Sequence, residues 1–149
     1  MATRRAEAIW QGDLFNGAGQ VKLGGGTYEG DYSFKSRFQE PTHTSPEELL
    51  GAAHAGCYSM ALAGMLQQAG YTPVQIQTRA RVRIEPDGQQ GFQISSVQLE
   101  TEARVPGLDE ITFQQWAETA RQGCAVSRAL MNGTAQISLK AMLLNGGVA

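Results

Sequence analysis

Residues 45–70, SPEELLGAAHAGCYSMALAGMLQQAG, decide the fold of this protein. They predict one long helix, because Ser45 is a preferred N-cap and Pro46 fits the first helical position. Glu48 follows Ser45 by three residues, which is the spacing of a capping box. Gly70 fits the left-handed position beyond the last turn, so the helix is expected to end near Ala69.

The centre of this helix carries no formal charge. Residues 49–66 contain no Asp, Glu, Lys or Arg, and their 18 positions reach the lower limit of a membrane span. However, His54 and Ser59 lie inside the segment, no cationic cluster flanks it, and Gly and Ala outnumber Leu and Ile. We therefore expect no membrane span but a helix in the core of a soluble protein or in a subunit interface.

Before the helix, glycines separate short apolar segments over residues 7–34, which predicts a β-meander. Residues 35–45 are polar and predict a loop. After the helix, apolar and polar residues alternate over residues 74–84, as in a half-buried strand. A returning strand over residues 92–99 changes apolar parity, so a bulge is expected near Ser95-Ser96.

Two further helices are predicted towards the C-terminus. The first covers residues 106–123, with Gly123 at its end, and the second runs from Cys124 to about Met131. A last strand is marked by alternating apolar residues, namely Ile137, Leu139 and Ala141. Locally paired strands alternate with helices, so the fold class is α+β, and 149 residues without an internal repeat predict a single domain over residues 1–149.

Composition restricts the class of function. The net charge is −2 and no basic run occurs, so nucleic-acid binding is not indicated. The N-terminal residues have no apolar segment of the secretory type, and two cysteines do not form a disulfide framework. We expect a cytoplasmic protein whose thiols are reduced at rest.

The two cysteines differ in their predicted surroundings. Cys57 and Cys124 are 67 residues apart, which fits no zinc pattern even if His43 and His54 added ligands, so we expect no metal. Cys124 begins a helix, where free backbone N–H groups favour a thiolate. Cys57 lies mid-helix, so it is either an inert core residue or a thiol whose activating cation comes from elsewhere.

Three other residues have two interpretations each. Arg37 is the nearest preceding candidate for that cation, although it could equally be a solvated loop residue. Glu48 could hold Arg37 or merely cap the helix. His54, one turn before Cys57, is either a satisfied buried histidine or a base that faces the thiol.

Four segments of the sequence resemble the OsmC/Ohr family of thiol-dependent peroxidases. They are SPEELLGAAHAGCYSMAL (residues 45–62), GCAVSRAL (residues 123–130), AIWQGDLFNGAG near the start and VPGLDEITFQQWAETA before the second cysteine. Arg37 lies just before the first-cysteine helix, as in the OsmC-type subgroup. Ala125 stands where the family commonly has Pro, which implies a softer helix start there.

The resemblance implies a role for each candidate residue. Cys57 would be the peroxidatic nucleophile, which attacks a hydroperoxide and becomes a sulfenic acid. Cys124 would resolve it as a disulfide that an external dithiol reduces. Arg37 would stabilise the Cys57 thiolate, and Glu48 would orient Arg37. Family members give His54 no catalytic role, which favours its structural interpretation.

The resemblance also implies an assembly and a substrate. The expected fold is an intertwined homodimer with antiparallel sheets and long central helices. The expected activity is reduction of organic hydroperoxides, and less efficiently of hydrogen peroxide, without a metal or organic cofactor. A lipoyl protein is a candidate for the reducing dithiol. The alternative is a non-catalytic redox-sensing or small-molecule-binding protein on the same fold.

Overall fold

The central element of the fold is a 23-residue helix, which packs against a long hairpin and two shorter helices. The computed structural model describes residues 1–133 and residue 140. The predicted last strand, marked by Ile137, Leu139 and Ala141, lies outside the described residues. Within them the chain is a mixture of helices and antiparallel sheets, as predicted.

The N-terminal meander is confirmed. Strands β1 (Ala6–Gln11), β2 (Ala18–Leu23) and β3 (Glu29–Tyr32) form an antiparallel sheet in chain order. Trp10 of β1 and Tyr32 of β3 stack across Gly19 of β2, with ring centroids 5.4 Å apart. A Cβ atom at Gly19 would lie 2.5 Å from the Tyr32 ring, so only glycine lets the two rings close over the middle strand.

The loop predicted over residues 35–45 contains a short helix, so that prediction is wrong in part. Helix α1 (Phe34–Phe38) begins at the N-cap Ser33, which forms a capping box with Ser36. The hydroxyl of Ser36 also donates to the carbonyl of Thr44 at 2.9 Å, which ties this helix to the start of the next one. Local capping thus orders a segment that has no apolar periodicity.

Helix α2 (Pro46–Gln68) has the predicted bounds. Ser45 is its N-cap, accepting from the backbone N–H of Glu48 at 3.1 Å, and Gly70 follows its end with φ of +93°. Its buried side packs on β4 (Gln75–Pro86), which pairs with β5 (Phe92–Arg104). The register shifts there because Arg83 faces Ser96 and Ile84 faces Ile94, so Ser95 is the extra residue of the predicted bulge.

Two further helices close the core against the other flank of α2. Helix α3 (Glu110–Gly123) begins at the N-cap Asp109, and α4 (Ala125–Asn132) begins at the N-cap Cys124. The fully buried core consists of one stripe of α2 with residues from these two helices, namely Tyr58, Leu62, Leu66, Ala120 and Cys124. This packing places both cysteines at the same junction of three helices.

Candidate active site: two thiols and a separate arginine

The fold brings the two thiols together although they are 67 residues apart in the sequence. Cys57 is half-buried on α2 and packs against the core cluster that contains Cys124, and both are free thiols. The Cys124 side chain is 1% exposed, and Cys57 is close enough to contribute to lowering the pKa of its thiol. The pair therefore combines one reachable sulfur with one that water does not reach.

Cys124 occupies the helix start that the sequence predicted, and its environment favours the thiolate. Burial raises the pKa of the Cys124 thiol, but hydrogen bonds from Ser127, Cys57 and the Val126 backbone outweigh that effect and lower it. The backbone N–H of Ser127 donates to Cys124 Sγ at 3.4 Å, which is the geometry of a side-chain N-cap. The free N–H groups at this helix start stabilise the negative charge that forms when the thiol loses its proton.

Arg37 forms a bidentate ion pair, but its partner is Glu47 and not the predicted Glu48. Arg37 Nη2 lies 2.7 Å from Glu47 Oε1, and Arg37 Nε lies 3.1 and 3.2 Å from Oε1 and Oε2. Glu47 is 6% exposed, whereas Glu48 is exposed and accepts from the Thr44 hydroxyl at 3.4 Å.

The physical reason for this correction is the helical period. Successive residues of a helix are rotated by about 100°, so adjacent glutamates face in different directions. Glu47 shares the buried face of α2 with Gly51, His54 and Tyr58, at spacings of four and three residues. The sequence contained this signal, but the capping-box spacing of Glu48 was a stronger local pattern.

The ion pair borders a cavity of about 570 Å³ that includes neither cysteine. Its other walls come from α1, the start of α2 and the middle of β4, with Ala55 as the furthest residue along α2. Glu47 and Cys57 are ten residues apart on one helix, or about 15 Å along its axis. Within one chain, therefore, the structure joins the two thiols and joins Arg37 to a carboxylate, but keeps the two groups apart.

Aromatic rings surround the other side of Arg37. Phe15, Phe34, Phe38 and Phe92 stack in series with centroid distances between 4.6 and 4.9 Å. The guanidinium carbon of Arg37 lies 5.1 Å from the centroid of Phe38, as in a cation–π contact. A small apolar pocket of about 200 Å³ opens between these rings and the Trp10–Tyr32 pair.

His54 has a partner that sequence reasoning missed. Its Nε2 lies 2.7 Å from the hydroxyl of Ser127, the residue that also binds Cys124. His54 is 6% exposed, and burial lowers the pKa of its imidazole, which is therefore neutral near pH 7. No sequence pattern links residues 73 positions apart, so only the fold reveals this contact.

Among residues 1–133 no group of three or more His, Cys, Asp or Glu residues is placed to hold a metal ion.

These features define a class of protein: an α+β fold with a pair of free cysteines at a helix junction. The sequence profile of the family described as OsmC-like protein matches residues 39–140. The chain belongs to this family. It is 42% identical to the Peroxiredoxin OsmC of Escherichia coli over 128 residues, which cover 85% of this chain and 89% of that protein.

Solved structures share the fold at lower sequence identity. An OsmC-like protein from Vibrio cholerae superposes with a TM-score of 0.67 and 14% identity, covering 87% of this chain and 94% of the other. An organic hydroperoxide resistance protein from Elizabethkingia anophelis gives 0.66 and 23%, covering 89% and 90%. The predicted fold class is thus confirmed.

Proposed function

We propose that the protein is a thiol-dependent peroxidase that reduces organic hydroperoxides to alcohols. One observation carries this proposal: two free thiols packed in the same cluster, in which Cys124 has a lowered pKa and Cys57 is reachable from solvent. The similarity to a peroxiredoxin over most of the chain supports the same activity.

The proposed reaction has two oxidative steps. The Cys57 thiolate attacks the distal oxygen of the hydroperoxide, the O–O bond breaks, and the alkoxide takes up a proton and leaves as the alcohol. The Cys124 thiolate then attacks the sulfur of the Cys57 sulfenic acid, and hydroxide leaves as water after protonation. An external dithiol reduces the resulting disulfide by exchange, for which a lipoyl protein is one candidate.

Arg37 and Glu47 complete the site from a second copy of the chain in this proposal. The guanidinium stabilises the Cys57 thiolate and the developing charge on the leaving oxygen, and Glu47 orients it. Glu48 lines the same cavity but takes no part in holding Arg37. The aromatic pocket beside Arg37 would receive the organic group of the hydroperoxide, which favours organic substrates over hydrogen peroxide.

A homodimer through α2 is supported by the free face of this helix. Helix α2 is long and apolar enough to cross a membrane by length and composition, yet only 28% of its most apolar window is buried in one chain. Met60 is 78% exposed, and Cβ atoms at Gly56 and Gly64 would meet nothing within 4 Å. A second copy of the chain would bury this apolar face, and the small residues on it would allow the two helices to approach closely.

An antiparallel pairing of two α2 helices would also complete the active site. If the helices cross near Ala52, midway between Glu47 and Cys57, the ion pair of one subunit lies level with the thiol of the other. The distance of about 15 Å along α2 then separates residues of different sites instead of one site.

From the membership of the OsmC-like family we also infer a single domain over residues 1–149 and a cytoplasmic, soluble protein.

The test is consumption of an organic hydroperoxide and of hydrogen peroxide in the presence of dithiothreitol. We expect many equivalents of organic hydroperoxide per subunit, a slower reaction with hydrogen peroxide, and no turnover in Cys57→Ser. A total of about one equivalent per subunit would instead identify a redox sensor, because a sensor oxidises once without efficient turnover. Activity that survives Cys57→Ser would contradict the proposal.

A further inference from the structure

The burial of Cys124 raises a question about its proton. A thiol must lose its proton to attack a sulfenic acid, but the Cys124 side chain is 1% exposed and lies in the core. Its hydrogen-bond partner Ser127 is 2% exposed, so solvent does not receive this proton directly. A protein group that contacts the thiol has to take it.

Ser127 and His54 form a continuous path away from the sulfur. Ser127 donates its backbone N–H to Cys124 Sγ at 3.4 Å, which places this residue beside the thiol, and its hydroxyl lies 2.7 Å from His54 Nε2. Ser127 projects from the first turn of α4 and His54 from the middle of α2. We propose that Ser127 relays the proton of Cys124 to His54 during disulfide formation, and that the same path delivers a proton from the external dithiol to Cys124 when the disulfide is reduced. This inference rests on the proposed peroxidase cycle.

The relay balances in the oxidative direction. The Cys124 thiol donates its proton to Ser127 Oγ while the Ser127 hydroxyl proton moves to His54 Nε2, leaving a thiolate and an imidazolium. The thiolate forms the S–S bond, and the S–O bond of the Cys57 sulfenic acid breaks. The departing hydroxide and the proton stored on His54 together make up the released water.

The same path serves reduction. Cys57 is half-buried and Cys124 is almost fully buried, so the attacking dithiol reaches the sulfur of Cys57. Cys124 is then the leaving thiolate, which the Ser127 N–H and hydroxyl stabilise. The dithiol gives up a proton as its thiol attacks Cys57, and this proton passes through His54 and Ser127 to Cys124, so the thiol is restored.

The state of His54 agrees with the role of acceptor. Burial lowers the pKa of the imidazole, so the neutral ring is available near pH 7. Its Nδ1 is buried and has no hydrogen-bond partner among the described residues. A histidine kept for stability alone normally has both ring nitrogens paired, because an unpaired buried polar atom is destabilising by about 1–3 kcal/mol.

The charged and titratable groups around His54 come from each helix that packs on it. They are Cys57 and Tyr58 on α2, Arg121 on α3 and Cys124 at the N-cap of α4, whereas β5 contributes serines and aliphatic side chains. Arg121 pairs with Glu118 at 2.6 Å, and burial is what lowers the pKa of His54 and opposes a lasting imidazolium. His54 therefore holds the proton only while the thiolate is present.

The experiment separates the two oxidative steps in a single turnover. One equivalent of cumene hydroperoxide is added to reduced protein, and samples are quenched with acid and alkylated. Sulfenic acid and disulfide are then counted by mass spectrometry over time. The variants are His54→Gln and Ser127→Ala, with Ser127→Thr as the conservative replacement that keeps the hydroxyl. The control is Ser59→Ala. Ser59 lies on α2, as His54 does, and its replacement removes a hydroxyl–hydroxyl hydrogen bond of 2.7 Å to Thr78 on β4.

We expect disulfide formation to slow by about 100-fold or more in His54→Gln and Ser127→Ala, as for the loss of a general base. Sulfenic acid formation should stay at the wild-type rate, and Ser127→Thr should restore resolution. The wild-type resolution rate should fall as the pH decreases through the pKa of His54, and His54→Gln should lack that acidic limb.

Two results would overturn the relay. One is that Ser127→Ala forms the disulfide as fast as Ser127→Thr and wild type do. This comparison does not depend on whether His54→Gln folds. The other is an unchanged pH profile in His54→Gln. Failure of the proposed function looks different, because wild-type protein would then form no sulfenic acid or disulfide with stoichiometric peroxide.

Discussion

Replacing Glu47 with glutamine tests the corrected assignment of the Arg37 partner, and the neighbouring Glu48 provides a matched control. The two residues have the same chemistry and adjacent positions. Only Glu47 is buried and contacts the guanidinium, through three donor–acceptor distances of 2.7 to 3.2 Å. Glu47→Gln keeps an oxygen acceptor but removes the charge that strengthens these bonds.

The expected magnitude follows from burial on the two sides of the pair. Breaking a fully buried ion pair by removing one partner is destabilising by about 3–5 kcal/mol. The Arg37 side chain is 36% exposed, so solvent screening reduces this figure. We therefore expect a loss of about 1–2 kcal/mol in the positioning of Arg37, or about 5- to 30-fold in kcat/KM.

The assay is steady-state consumption of cumene hydroperoxide with dithiothreitol, together with thermal unfolding of each variant. Glu48→Gln should stay within about twofold of wild type, because Glu48 is exposed and glutamine still accepts from the Thr44 hydroxyl. Equal losses in both variants, or a greater loss in Glu48→Gln, would refute the reasoning from helix geometry.

Three further outcomes are expected from single substitutions. Gly56→Leu should elute as monomer or aggregate in size-exclusion chromatography, whereas Gln115→Leu on the exposed side of α3 should elute as wild type. Burial lowers the folded-state pKa of His54, so the unfolded chain binds the proton more readily and stability is lost as the pH falls below about 6.5. His54→Gln should flatten this dependence in urea unfolding measured between about pH 7 and pH 5. Ser45→Ala should lower the free energy of unfolding by about 1 kcal/mol, because the N-cap bond to α2 is lost, and an unchanged urea midpoint would contradict that role.

Local sequence signals located most of the elements. The bounds of α2 follow from Ser45, Pro46 and Gly70, because capping and left-handed backbone depend on single residues. The bulge at Ser95 follows from a change of apolar parity, since a strand with one buried side has to keep its period of two. Helix α1 was missed because a serine pair and aromatic contacts stabilise it, and neither produces an apolar period.

The site was less predictable because its contacts are tertiary. The roles implied by the resemblance were given to Cys57, Cys124, Arg37 and Glu48, and the last choice was wrong because the capping-box spacing favoured Glu48 over Glu47. Glu47 belongs to a stripe of buried positions at helical spacing. Giving this pattern priority over the capping-box spacing would have identified Glu47 as the partner of Arg37. The contact between His54 and Ser127 joins two helices, so it depends on how they pack and not on either sequence segment.

The separation of Arg37 from Cys57 within one chain leads to a complementation test. Cys57→Ser and Arg37→Met subunits are each inactive as homodimers if both residues are required. In a mixed dimer with composite sites, one site combines the intact Cys57 of one subunit with the intact Arg37 of the other. The purified mixed dimer should therefore have about half of the wild-type activity, because one of its two sites is complete.

The matched control mixes Cys57→Ser with Cys124→Ser subunits. Both thiols of one centre come from the same chain, so no mixed dimer has an intact pair and no activity should return. Recovery is measured as peroxide consumption after co-expression with two different affinity tags and tandem purification of the mixed dimer. If the mixture with Arg37→Met also stays inactive while its dimers form, Arg37 acts on the Cys57 of its own subunit. In that case a conformational change within one subunit would be needed to bring Arg37 and Glu47 close to Cys57 of the same chain.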